Sequence, residues 1–562
     1  MKNNCISPKE PSVARKRKYP RMFLHFLIVS AVVFGLTGLS DTSADRSVTA
    51  PDKISFTTSE FVTDATTRQT VVPGFYLGSP VAELAIVDIG KNAARRLRLI
   101  QFVDGKWKEE RATTLGAGVS FIDVATINGR DRLIAYENGT LKWYDPSTSK
   151  EVALVDVAAT IELPHPGEIP HVDITHDLND DGLDDFVVPG KEGFQVLLQR
   201  NDGTFDEYFS VGPTTDLSRI IGAEGYRFNP WSQSRIHKID FNHDGRNDLV
   251  YWKKDHFEIL QKTADGRYET EIKTLTTKAP FGSDNMSSLA DGKMSGRVLH
   301  SIADINGDGT GDLVVFALTG KSVSKKKSTY EVYFGKKTAE GRTSFSAKPG
   351  MTFQSEGKIQ VGMERYDLNN DGQMDLMFTT IDKEYLQNSL WKTLKGFMGD
   401  DLKLDLEFYL SDGGSFAKTP DETHGMGLDG ELSHREPGSI GLDLALRGGL
   451  HEARQTQKEW RRAFKRPLFI GDVSGDGRLD MLIATTPDGM EIFAGATKGR
   501  AFSSLSQPVR EPMPDNNEYS WLVDLNNDGK QDVLLHDPYY SRREHYDDRK
   551  PASDMVNILL AR

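Results

Sequence analysis

Asp304, Asn306, Asp308 and Asp312 occupy positions one, three, five and nine of the stretch Asp-Ile-Asn-Gly-Asp-Gly-Thr-Gly-Asp, with Gly309 at position six. Oxygen-bearing side chains on alternate residues, with glycine where the chain must reverse, are what a hard cation needs. Calcium takes about six to eight oxygens at about 2.3–2.6 Å. One such stretch is also an ordinary Asp/Asn/Gly turn, but this chain carries six. The other five are Asp177, Asn179, Asp181, Asp185; Asp240, Asn242, Asp244, Asp248; Asp367, Asn369, Asp371, Asp375; Asp472, Ser474, Asp476, Asp480; and Asp524, Asn526, Asp528, Asp532. A plain turn gains little from an acid at position nine, and three clustered carboxylates without a counter-ion repel one another. The pattern therefore predicts up to six structural Ca²⁺ ions. Ser474 puts a neutral, weaker ligand in the fifth loop.

The loops start 63, 64, 63, 105 and 52 residues apart, and a fixed period of this kind signals a repeat fold. A short strand-like segment precedes each loop, such as Ile236–Ile239 or Trp521–Val523. An apolar run follows, such as Phe186–Val188, and then an alternating strand such as Phe194–Leu198 or Met490–Phe493. Several units continue with a glycine turn and an aromatic residue, as in Asp202-Gly-Thr-Phe205 and Asp265-Gly-Arg-Tyr268. Four short strands that cannot bury both faces alone make a β-propeller blade.

Two degraded units precede the six. Tyr76–Leu84 stands where a loop belongs, and Asp123 and Asp131 keep positions one and nine around Ala125 and Ile127. The fold expected is thus all-β, an eight-bladed propeller with seven blades as the alternative count. The last unit lacks a fourth strand, and Ile54–Thr58 is expected to supply it. The long gap is expected to hold a helical insertion at 383–403, with Leu386, Leu390, Leu394 and Phe397 at helical spacing. A second insertion is expected at 421–466, ending in a basic helix with Arg454, Lys458, Arg461, Arg462, Lys465 and Arg466.

A net charge of −13 argues against a nucleic-acid partner, since phosphate binding needs a basic face. Six divalent ions would offset nearly all of that charge. The basic Arg15–Lys18 and the apolar Met22–Leu39 read as an export signal or N-terminal membrane anchor within 1–44, leaving 51–562 for the propeller. The single cysteine, Cys5, precedes that run, so disulfides play no part beyond it. The sequence contains no Gly-x-Ser-x-Gly, His-Glu-x-x-His or phosphate-loop motif. His451-Glu452 lacks a second histidine. His176 and His243 read as solvated loop residues.

The six loops, each with Leu, Val, Phe or Met directly after the ninth-position Asp, resemble the FG-GAP/VCBS repeats of calcium-binding β-propellers, of which integrin α-subunit heads are members. The resemblance implies that each loop joins the innermost strand of a blade to the next. It also implies that positions one, three, five and nine bind Ca²⁺ together with a backbone carbonyl at seven. The function expected is an exported binding, adhesion or scaffolding module at a bacterial envelope, with a protein or polysaccharide ligand. The alternative is a carbohydrate-active, lyase-like enzyme on the same scaffold.

Overall fold

The computed structural model describes residues 54–64, 69–90, 92–145, 148–157, 169–190, 193–206, 209–212, 236–253, 255–281, 296–320, 325, 327–383, 402–428, 468–486, 489–496, 499–511, 513, 520–536 and 555–562. They form eight four-stranded antiparallel sheets, arranged as the blades of a propeller, and one additional two-stranded hairpin. Blade 3 shows the plan: Thr175–His176, Asp185–Gly190, Gly193–Leu197 and Phe209–Val211 pair in sequence order. Blades 1 and 2 begin at Gln69–Gly74 and Val119–Ile127, and blades 4 to 7 at His237–Ile239, Gly296–Ala303, Lys358–Tyr366 and Leu468–Gly471.

The eighth blade closes the ring. Trp521–Val523, Asp532–His536 and Met555–Ala561 supply three strands, and the fourth is Phe56–Val62 from the other end of the chain. It pairs from Phe56 opposite Ala561 to Val62 opposite Met555. The expected closure by the N-terminal segment is found, extended four residues past Thr58. Arg562 N–H donates to Ser55 O, and Trp107 Nε1 of blade 1 donates to Ser59 Oγ.

The apolar second strands explain how blades stack. Successive side chains point to opposite faces of a sheet, so a continuous apolar run serves two neighbours. In blade 4, Leu249 and Tyr251 join the core shared with blade 3, while Val250 and Trp252 join the core shared with blade 5. In blade 8, Val533 and Leu535 pack toward blade 7 and Leu534 toward blade 1. Every seam has an apolar core built in this way, including the one between the first and last blades.

Three expectations need correction. Asp123 and Asp131 are not the ends of a nine-residue loop. They lie in Val119–Ile127 and Arg130–Glu137, which are joined by the two-residue turn Asn128-Gly129, both at positive φ. An Asn-Gly turn of that type matches the twist of a hairpin, and it leaves no space for a cation loop. Second, the stretch assigned to an insertion from 421 opens with Glu422–Leu428, the outer strand of blade 6. It pairs with Leu402–Tyr409, so strand also begins before 403. The sequence Glu-Thr-His-Gly-Met-Gly-Leu has too little alternation to announce that strand. Third, neither histidine is a solvated loop residue: His176 lies in the first strand of blade 3, where burial lowers its pKa, and His243 Nε2 meets Thr343 Oγ1 of blade 5 at 3.2 Å. The helix expected within 383–403 and the basic helix ending at 466 fall almost wholly outside the described residues, as does the segment 1–44.

Candidate metal loops

All six loops join the first strand of a blade to the second, and their backbones repeat closely. Position four lies in the left-handed region in every copy: Asp180, His243, Gly307, Asn370, Gly475 and Asn527 have φ between 53° and 77°. Position six is left-handed too, from Gly309 at 82° to Gly529 at 93°. Asn, Asp, His and Gly are the residues that enter this region most readily, which accounts for the choice at position four. Position two is apolar and buried in all six, as Leu178, Phe241, Ile305, Leu368, Val473 and Leu525. The loop thus hangs from the core by its second residue while positions four to six face solvent.

The oxygens of positions one, three and five gather on the inside of the turn. The position-one carboxylate accepts the N–H of position five with one oxygen and that of the position-six glycine with the other. In the third loop these are Asp308 N and Gly309 N on Asp304, at 3.1 and 2.8 Å. The Asn306 side-chain oxygen accepts from Asp308 N at 3.1 Å, and Asp308 accepts from Thr310 N at 2.8 Å. Equivalent bonds recur in the loops opening at Asp177, Asp240, Asp367 and Asp524. In the loop opening at Asp472, Ser474 reverses the direction and donates to Asp472 Oδ1 at 3.3 Å.

The ninth-position acid does something the sequence did not suggest. It is the first residue of the second strand and is fully buried in all six blades. One oxygen accepts the N–H of position two and the other an N–H at the end of the third strand. Asp312 takes Ile305 N at 3.0 Å and Gly335 N at 2.8 Å. The third-strand partners in the other blades are Gln199, Lys262, Ser411, Gly495 and Ala561, at 2.7–2.8 Å. This corrects the premise that such an acid has little use without an ion, because it ties loop, second strand and third strand together by itself.

Blade 1 keeps the loop half of this device with the oxygens at positions one and three removed. Glu83, fully buried, opens the second strand and accepts Leu77 N at 2.9 Å and the Ser79 hydroxyl. Tyr76 is buried at the second place of this nine-residue frame, and Gly78 is left-handed at the fourth. Phe75 and Leu77 replace the oxygens at one and three.

Burial raises the Glu83 carboxyl too, so what sets the loops apart from this frame is the neighbouring carboxylates. Burial pushes all six ninth-position carboxyls above the usual range; the position-one and position-five carboxylates push Asp185, Asp248, Asp375 and Asp532 further, and Asp308 does the same to Asp312. Asp185 rises to about 8, Asp532 to about 7, and Asp248, Asp312 and Asp375 to about 6. Among the described residues, no group of three or more His, Cys, Asp or Glu side chains stands close enough to hold a metal ion as placed. The donor set a cation could draw on is mixed, with two carboxylates, an Asn or Ser oxygen, and the buried ninth acid, whose oxygens already accept backbone N–H groups. That hard-oxygen set fits calcium, and the raised carboxyls are groups whose charged form such an ion would favour.

Each loop also lies against the next blade. Tyr268 and Lys262 of blade 4 donate to Leu178 O and Asn179 O of the third blade's loop. Thr343 N of blade 5 donates to Phe241 O, and Ala82 N of blade 1 to Leu525 O. The glycine-aromatic hairpins make the links from blades 4 and 5, and on the same side Phe345, Phe416 and Phe502 pack on Phe257, Phe353 and Phe408 of the preceding blade. Between the third blade's loop and blade 4, an open polar recess of about 490 Å³ is bordered by Asn179, Asp181, Arg200, Asp202, Asp265 and Arg267.

The family model for an FG-GAP-like repeat matches residues 472–535, from the loop of blade 7 through the second strand of blade 8. No curated protein matches the chain. Similar solved structures include an Agrocybe aegerita lectin that recognises non-reducing terminal N-acetylglucosamine, at 16% identity over 75% of this chain and 85% of that one, TM-score 0.36. The V. cholerae biofilm matrix protein Bap1 is 10% identical over 90% and 91%, TM-score 0.29. The WD40 domain of SCAP from fission yeast is 8% identical over 89% and 98%, TM-score 0.33. With that repeat matched across blades 7 and 8, and the same loop, pin and strand order recurring in blades 3 to 6, the chain is a β-propeller of FG-GAP-type repeats with eight blades.

Proposed function

We propose that this propeller is a calcium-stabilised binding module that works outside the cytoplasm, at a bacterial envelope, and presents its inter-blade surfaces to a protein or polysaccharide. The observation that carries the calcium reading is the sixfold recurrence of a buried, raised carboxyl beside two further carboxylates. In this reading Asp, Asn or Ser oxygens at positions one, three and five, with the ninth Asp, hold up to six ions. Bound calcium supplies the positive charge that lets the acids stay ionised. The chain's own contribution is the pre-bent turn, held by the left-handed residues at four and six and by the buried residue at two. The polar recess between blades 3 and 4 is the kind of surface that suits hydroxyl-rich or charged ligands.

Two measurements test this. Calcium bound to the native state alone adds RT ln(1 + [L]/Kd) per site, about 1.4 kcal/mol at tenfold over Kd. The melting temperature should therefore fall markedly in chelator relative to millimolar calcium, and identical curves would sink the calcium reading. A panel of acidic and neutral polysaccharides, read by both binding and release of unsaturated or reducing ends, tests the module. Binding without product supports it, and product formation would replace it with an enzyme.

A further inference from the structure

Two of the six loops carry their own cation. Position seven is Leu183, Thr310, Gln373 and Lys530 in four loops but arginine in blades 4 and 7. The Arg246 guanidinium meets Asp244 Oδ2, and that of Arg478 meets Asp476 Oδ2, so each bonds the fifth-position carboxylate of its own loop. Both are aimed by the same second bond: Arg246 Nε donates to Lys262 O at 3.1 Å and Arg478 Nε to Gly495 O at 3.1 Å. Those residues, Lys262 and Gly495, also give their N–H to the ninth-position acids Asp248 and Asp480. One residue of the third strand thus orients both the buried acid and the arginine, and it does so identically in two blades far apart in sequence. Lys530, the other basic residue at position seven, extends along Gly475 of the neighbouring blade, and Asp528 takes Asn526 Nδ2 at 3.0 Å.

We infer that Arg246 and Arg478 are built-in counter-ions that divide the six loops into two affinity classes, with blades 4 and 7 binding calcium more weakly than blades 3, 5, 6 and 8. The inference rests on the calcium reading above. An incoming divalent ion must displace the guanidinium from the fifth-position oxygen and then tolerate a positive charge a few ångströms away. Screened repulsion of that size lowers affinity on the order of tenfold. Ser474 weakens the blade 7 loop further by replacing an amide oxygen with a hydroxyl that already donates to Asp472.

The test is calcium titration of the full chain by calorimetry, comparing wild type, Arg246→Gln/Arg478→Gln and Arg246→Lys/Arg478→Lys. In the Gln pair the two weak sites should tighten on the order of tenfold while the other four keep their affinity. The same variant should melt lower than wild type in chelator, where Asp244 and Asp476 lose the counter-charge that Arg246 and Arg478 give them; tighter calcium binding together with lower stability in chelator is not expected of a merely structural arginine. The Lys pair, which keeps the charge, should stay near wild type. Unchanged calcium affinity in the Gln pair, or equal tightening in the Lys pair, overturns the inference. Absence of calcium binding by every protein, wild type included, instead overturns the calcium reading on which it stands.

Discussion

Replacing Asp312 with alanine separates the pin from the metal site. In chelator, Asp312→Ala removes the acceptor for Gly335 N and Ile305 N, both buried, and for the longer, half-buried bond from Asn306 N. An orphaned buried donor costs about 1–3 kcal/mol, so two of them predict a loss of about 2–6 kcal/mol before any ion is considered. Asp308→Ala, on the exposed face of the same loop, frees the exposed Asn306 Nδ2 and the half-buried Thr310 N, neither of them as enclosed as the partners of Asp312. Its cost in chelator should be about 0.5–1.5 kcal/mol. Adding calcium should then penalise both variants by a further, similar amount, because each loses a ligand. Urea denaturation of wild type and both variants, with chelator and with millimolar calcium, reads all these values. Equal destabilisation by the two variants in chelator would refute the assignment of Asp312 as the metal-independent pin.

Further outcomes follow from other features. Gly414 is left-handed, and a Cβ there would stand 1.6 Å from Asn306 O of the neighbouring blade. Gly414→Ala should therefore cost at least about 2 kcal/mol in denaturation, and a neutral result would argue against that seam. Ser59 lies opposite Ile558 in the closing ladder, and Ser59→Pro removes a donor from it and should cost about 3 kcal/mol or more. Hydrogen exchange should show the loss first in Met555–Ala561. His536 is buried and bonded through Nδ1 to Met555 O, and burial holds its pKa down at about 4. The unfolded chain therefore binds a proton that the folded one refuses between pH 6.5 and 4. Its stabilising effect is complete above pH 6.5 and lost as pH falls toward 4. The ninth-position acids, raised in the fold, shift in the opposite sense, so the measurement is the difference between wild type and His536→Gln in urea midpoints from pH 7.5 to 4.5. Parallel profiles would contradict the burial of a neutral imidazole.

The repeat, the strand pairs around each loop and the closure by the N-terminal strand were legible because each is written in a short stretch of sequence. Glycine at six and left-handed residues at four are local demands. So is the alternation of Leu249, Val250, Tyr251 and Trp252 between two seams. The role of the ninth Asp was not legible, because its partners lie 14 to 36 residues further on, as Gln199 does for Asp185 and Ser411 for Asp375. Asn128-Gly129 did announce its hairpin, but a nine-residue frame imposed on Asp123 and Asp131 hid it. Position seven also passed unnoticed, since an arginine after the glycine acquires meaning only when the third strand aims it.

The closing strand has a consequence for how the chain is made. Phe56–Val62 is among the first described segments to leave the ribosome, and its partner Met555–Ala561 is the last. Until Met555–Ala561 has been made, this strand, with Phe56 and Phe61 on it, has no ladder to join. An unpaired edge of that kind invites pairing with other chains. Contacts of such separation in sequence also form slowly. The newborn protein is therefore exposed to misassembly at this strand, and a holdase that covers residues 54–62 until Met555–Ala561 emerges would raise the yield of folded rings without touching any other blade.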